Sequence, residues 1–163
     1  MVDPTGGAGQ DGRRAERLEL RVPATPGQLP AVRAMAGDLA LRMDYDLDAV
    51  EDLRLAVDEA CAILAVLAEG DHPLTIVFET TRAGLHIDAW VPTAAGTDVP
   101  TDGFGWAVLQ TLVDTVDATS ATQQGVPAGN GSDSPVAVIT MDKFLAGQRP
   151  GSGDAGQSLS VAR

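Results

Sequence analysis

The chain has a single cysteine, Cys61, among its 163 residues. No disulfide can form within it, which fits a reducing, cytoplasmic setting. Cys61 falls inside a helical pattern, where it reads as a small core hydrophobe rather than a reactive thiol. Histidine is as scarce: His72 stands in a turn and His86 on a strand. No spaced set of His, Cys and Asp therefore suggests a zinc site. There is no G-x-S-x-G elbow and no P-loop. No apolar run approaches the length of a membrane span, and residues 1–16 lack the apolar stretch of a secretory leader. Basic residues are few, 11 Lys and Arg against 23 Asp and Glu, for a net charge of −12. Such a field repels phosphate backbones and argues against direct nucleic-acid binding. It suits a partner with a basic surface, or simple solubility.

What is present is a globular core. Hydrophobic residues make up 44% of the chain, enough for one domain that needs neither disulfides nor metals. Residues 1–16 and 147–163 are rich in Gly and polar residues and are expected to be disordered tails around a domain at 17–146.

Inside that domain the periodicity changes in a readable order. Leu18, Leu20 and Val22 alternate with Glu19 and Arg21, a half-buried strand. Thr25-Pro26-Gly27-Gln28 then carries capping signals for a helix running to about Met43. A second helix is predicted from Asp48, with Glu51 as its capping-box partner. Val50, Leu53, Val57, Ala60, Cys61 and Leu64 recur along it at helical spacing, and Gly70 and Pro73 end it. Leu74–Glu79 and Leu85–Val91 predict a hairpin through Gly84. A Thr-, Gly- and Pro-rich loop spans 92–102, and a third helix is predicted over Trp106–Val116. Two last strands, Asp117–Thr122 and Val136–Met141, flank a Gly- and Ser-rich insertion at 123–135 expected to be a mobile hairpin loop. This order predicts an α+β, two-layer sandwich: a mixed, mostly antiparallel sheet with three helices on one face.

Two places invite chemistry. Asp58 is one turn from Arg54, so a surface ion pair accounts for it. Glu59 sits beside the apolar stripe of the same helix, where a carboxylate is costly unless hydrated or paired. It is either a surface glutamate or the edge of a solvent-filled cleft. Gly103-Phe104-Gly105 precedes a helix. Its glycines either serve a turn that needs a positive φ or let an anion approach the free N–H groups of the helix start. Trp90 and Trp106 read as packing residues.

Leu55-Ala56-Val57-Asp58-Glu59-Ala60-Cys61 resembles the first half of the N box of the anti-sigma-factor serine kinases, in the GHKL or histidine-kinase-like ATPase superfamily. Gly103-Phe104-Gly105-Trp106, with the helix through Asp114, resembles that family's second glycine box. Val136–Phe144 resembles its closing strand. The resemblance covers about Leu18–Leu145 and implies that Glu59 is the catalytic carboxylate and that Gly103 and Gly105 bind nucleotide phosphate. It implies ATP and Mg²⁺ as cofactors. As partners it implies an alternative sigma factor, an anti-anti-sigma (STAS) protein and a second copy of the chain. The resemblance implies a stress-response regulator, and the Arg-, Ala- and Gly-rich composition hints at a high-GC actinobacterium.

Three departures from the family pattern stand out. The asparagine that holds Mg²⁺ falls at Ile63, which cannot coordinate a hard cation, so no metal ligand is assigned. The Asp-x-Gly box that reads adenine falls near Val91-Pro92-Thr93. The lid loop is short and poor in basic residues. Loss of the metal ligand alone removes several kcal/mol of transition-state stabilisation, on the order of a thousandfold in rate. The expectation is an anti-sigma factor that grips a sigma factor with weak or absent ATP use, Glu59 being a relic or a structural residue. The alternatives are an active serine kinase acting on the anti-anti-sigma protein, and a non-enzymatic binding or dimerisation domain outside transcription.

Overall fold

The computed structural model describes residues 15–149. In chain order the elements are β1 (Arg17–Pro23), α1 (Leu29–Arg42), α2 (Leu47–Ala65), β2 (Pro73–Thr80), β3 (Gly84–Pro92), α3 (Phe104–Leu112), β4 (Thr115–Thr122) and β5 (Pro135–Phe144). The strands form one sheet in the order β1-β2-β3-β5-β4. Every neighbouring pair is antiparallel, so the expected mostly antiparallel sheet has no parallel pair. The predicted tails lie largely outside the described residues. Their inner ends are tied down: the Thr80 N–H donates to the Glu16 carbonyl, the Glu16 N–H donates to the Thr80 hydroxyl, and Arg149 pairs with Asp114.

Period-two alternation decides which side of the sheet is core. Leu74, Ile76 and Phe78 of β2, Ile87 and Ala89 of β3, and Ala137, Ile139 and Met141 of β5 all face the helices and are buried. Val32, Ala36 and Leu39 of α1, Leu53, Val57, Ala60 and Leu64 of α2, and Trp106 and Leu109 of α3 close on them. Each large aliphatic or aromatic side chain buried this way contributes about 1.5–3 kcal/mol of apolar transfer.

Local signals mostly worked, with shifts at the ends. The first turn after Thr25 is a 3₁₀ turn, and Thr25 makes no side-chain cap. α2 begins one residue earlier than predicted. Asp46, not Asp48, is its cap, accepting the Ala49 N–H at 2.8 Å. α3 starts at Phe104 and stops at Leu112, because Val113 is already extended. Lys143 closes that end: its Nζ reaches the Leu112 carbonyl at 2.7 Å and the Asp52 carboxylate at 2.9 Å. A cation there also suits the negative end of the α3 dipole. Tyr45 ties the α1–α2 turn to the sheet, donating to the Lys143 carbonyl and accepting the Leu85 N–H.

The segment between β4 and β5 differs from the mobile loop expected of it. It folds back over the outer face of the sheet. The Trp90 indole N–H donates to the Pro127 carbonyl at 2.9 Å, Arg21 donates to the Ala128 carbonyl at 2.7 Å, and Val126 packs on the Trp90–Val136–Val138 cluster.

Candidate functional site

α2 presents four faces, and its sequence sorts them. Leu53, Val57, Ala60 and Leu64 meet the sheet. Arg54 and Asp58 turn towards α1: Asp58 pairs with Arg33 of α1, and Arg54 lies against Gly37 while pairing with Glu51 of its own helix. The expected Asp58–Arg54 pair is therefore replaced by a tertiary one. Gly37 of α1 makes room for it, since a Cβ there would overlap the Arg54 guanidinium. Glu59 and Ile63 turn towards α3. Leu55, Ala62 and Val66 face solvent.

Glu59 and Gly105, predicted separately, are brought into contact. A Cβ on Gly105 would overlap Glu59 Oε1 and lie 3.4 Å from Ile63 Cδ1. Gly105 is thus where α2 and α3 approach closest, and the space a side chain would fill holds the Glu59 carboxylate. Neither glycine of the box has a positive φ. Gly103 sits at φ −86°, ψ 167° as the N-cap of α3 and offers no side-chain cap. The positive-φ reading of the motif is corrected: Gly105 has an ordinary φ and stands at a tertiary contact with the Glu59 carboxylate. Glu59 is half-buried and makes no hydrogen bond or ion pair among the described residues.

The loop between β3 and α3 is anchored. Val91, Pro92 and Thr93, where an adenine-reading carboxylate would fall, are buried, and the Thr93 N–H bonds the Pro135 carbonyl. Val99 enters the main core. The Ser120 hydroxyl lies 2.9 Å from the Asp98 carboxylate and 3.1 Å from the Thr97 carbonyl.

A second polar constellation lies on the outer face of the sheet, and sequence reading missed it. His86 sits between Asp142, 2.6 Å from Nδ1, and Asp88, 3.1 Å from Nε2. Thr115 donates to Asp142 and Thr140 to Asp88, each at 2.7 Å. The hydrogen bond to Asp88, reinforced by Asp142 against the opposing effect of burial, raises the His86 pKa to about 9. Burial also opposes ionisation of Asp88. The hydrogen bonds from His86 and Thr140 nonetheless hold its carboxyl below the usual carboxylate range. The cluster is self-satisfied. Among the described residues no group of His, Cys, Asp and Glu is arranged to hold a metal ion. Cys61 is buried, and that burial, with Asp58 nearby, pushes its thiol up to about 12, so it is unreactive.

The model of the histidine kinase-like ATPase domain matches residues 22–129. The chain belongs to that family. It is 35% identical over 127 residues to the anti-sigma-F factor RsbW of Mycobacterium tuberculosis (strain H37Rv), covering 78% of this chain and 74% of that one. The serine-protein kinase RsbW of Bacillus velezensis is 25% identical, covering 81% and 88%. That of Bacillus subtilis (strain 168) is 43% identical over 47 residues, 29% of each chain.

Residues 83–142, which carry β3, α3, β4 and most of β5, contain no Lys or Arg and seven Asp. A triphosphate needs metal and side-chain cations to offset its charge. The charged side chain beside Gly105 is instead the Glu59 carboxylate. Phe104, between the two glycines, is 85% exposed. Its only sequence signal was its size in a loop of small residues. No helix among the described residues is long and apolar enough to cross a membrane.

Proposed function

We propose that the chain is an anti-sigma factor that works by binding and has lost productive use of ATP. It holds an alternative sigma factor and yields it to an anti-anti-sigma partner of STAS type. The carrying observation is Ile63 beside Glu59 at the α2–α3 contact. Both side chains line the space next to Gly105, and Ile63, at the position where the resemblance puts the metal-binding asparagine, has no oxygen donor. Family membership supports the fold and the partner class. The absence of Lys and Arg across residues 83–142 supports the loss of nucleotide chemistry. The chain's net charge of −12 suits a basic partner surface. A soluble cytoplasmic homodimer is the state this reading implies.

Capture of the host's sigma factors on immobilised protein at low salt tests the grip; no capture would overturn it. A melting curve with Mg²⁺ and ADP tests the site. A ligand at 100 times its Kd adds about 2.7 kcal/mol, so an unchanged Tm is expected and a clear rise would refute the degenerate site. The relatives named serine-protein kinases keep one alternative in view, with Glu59 as general base on the hydroxyl of a protein substrate and Gly103 and Gly105 on phosphate. Label transfer from ATP to an anti-anti-sigma protein, abolished by Glu59→Ala, would establish it in place of our reading.

A further inference from the structure

The solvent face of α2 is apolar where a surface helix is ordinarily polar. Leu55, Glu59, Ala62 and Val66 follow one another at spacings of four, three and four, so they share one stripe. Leu55 is 55% and Val66 83% exposed, and Ala62 is exposed as well. The stripe borders α3 where Gly105 meets Glu59, and the next residue back is Phe104, 85% exposed. Leu55, Val66 and Phe104 are thus exposed on the two helices that meet at Glu59. Scattered exposed apolar residues need no account, but a set along one helix stripe and the start of the helix beside it marks an interaction surface.

Charge says what fits it. Glu59 has no partner among the described residues. Asp102 lies two residues from Phe104, residues 83–142, α3 included, hold no Lys or Arg, and Arg54 of α2 is paired with Glu51. A nucleotide or any other polyanion is repelled here. A second copy of this chain would set Glu59 and Asp102 against acids of its own. A cation with apolar flanks meets complementary groups throughout. Its charge faces Glu59 and Asp102, the Phe104 ring offers a cation–π face, and Leu55 and Val66 take the flanking side chains.

We propose that the α2–α3 seam is the docking face for a protein partner that presents an arginine or lysine between apolar residues on a helical segment. Where the fold would admit phosphate, this chain receives a basic side chain. The assignment of the partner as a sigma factor rests on the reading given above; the chemistry of the face does not.

Two measurements test it with the full chain. In the first, the protein is titrated by calorimetry with an amphipathic leucine–arginine peptide amide and with its leucine–glutamate counterpart. The basic peptide binds and the acidic one does not. Phe104→Ala and Glu59→Gln each weaken binding about tenfold, the loss expected of a central contact, and added salt weakens it further. Asp117→Asn, an equal charge change on β4, leaves it unchanged. Phe104 and Val66 are almost fully exposed, so their variants are expected to keep the wild-type melting curve. No binding of the basic peptide, equal binding of both peptides, or indifference to Phe104→Ala would overturn the proposal. So would conversion of a wild-type dimer to a monomer by Phe104→Ala, since that assigns the face to self-association. In the second, sigma-factor capture is compared for the wild type and a Phe104→Ala, Val66→Ser double variant. Loss of capture in the variant supports the face. Equal capture removes the face and leaves the anti-sigma function standing. No capture even by the wild type removes that function, and the peptide titration then decides the face alone.

Discussion

The outer face of the sheet and the α2–α3 seam each carry partly buried carboxylates, in opposite company. On the sheet, Asp88 and Asp142 share His86 and receive Thr140 and Thr115. At the seam, Glu59 sits against a glycine and an isoleucine and pairs with nothing described. A satisfied network fixes structure. A bare carboxylate contributes little to the fold and is free to meet something from outside. The contrast separates architecture from function inside one small domain.

The largest effect belongs to the network. Asp88→Ala removes the acceptor of both His86 and Thr140 and leaves His86 with one counter-ion. The expected loss is about 3 kcal/mol, read as a lower midpoint in urea with an unchanged slope. A loss under about 0.5 kcal/mol would show that the cluster is ornamental.

The same network predicts a pH dependence. The folded pKa of His86, about 9, is raised above its ordinary value of 6.5. Its contribution is therefore fully present below pH 6.5 and is lost as pH rises through about 9. The expected loss is about 2 kcal/mol across that window. Cys61 and Tyr45, whose pKa values are raised to about 12, act above it. In His86→Gln the slope between pH 6.5 and 9 should vanish. A wild-type stability that is flat over that range would dissolve the network's claim to be charged.

How much of this was legible beforehand depends on distance along the chain. The sheet, the three helices and their order followed from period-two and period-3.6 spacing, which are local. Glu59 and Gly105 were each legible as oddities, because a carboxylate beside an apolar stripe and a glycine opening a helix break local rules. Their contact was not, since it joins residues 46 apart. Asp58 was matched to the nearest arginine on its own helix, while the chain used Arg33 from the neighbouring one. The His86 cluster needs the register that sets His86 opposite Asp142, and nothing local in either strand announces it. The insertion at 123–135 looked like a loose loop because its anchors, the Trp90 indole and the Arg21 guanidinium, come from distant strands.

The seam itself can be probed by a pair of changes. Gly105→Ala puts a methyl where the Glu59 carboxylate lies. The obstruction is the end of a flexible side chain, and alanine is the better helix former by about 0.5–1 kcal/mol. In the wild type the two effects nearly cancel. In a Glu59→Ala background the obstruction is gone, so the same change should stabilise, with a coupling of about 1 kcal/mol between the sites. Strict additivity would mean that the helices do not approach as described.

The smallest expected effect is the most telling one. Glu59→Gln keeps the shape of the side chain and removes its charge. Were Glu59 part of the fold's polar framework, as Asp88 is, neutralising it would cost a kilocalorie or more. With no partner to lose, the change should stay within about 0.5 kcal/mol, the range of ordinary surface substitutions. Relief of repulsion from the surrounding acids makes a slight gain the expected sign. The same variant is expected to bind the basic peptide about tenfold more weakly. A stability that barely moves while binding falls assigns the carboxylate to recognition. If stability fell by a kilocalorie and binding held, Glu59 would join Asp88 as framework, and the contrast between the two regions would disappear.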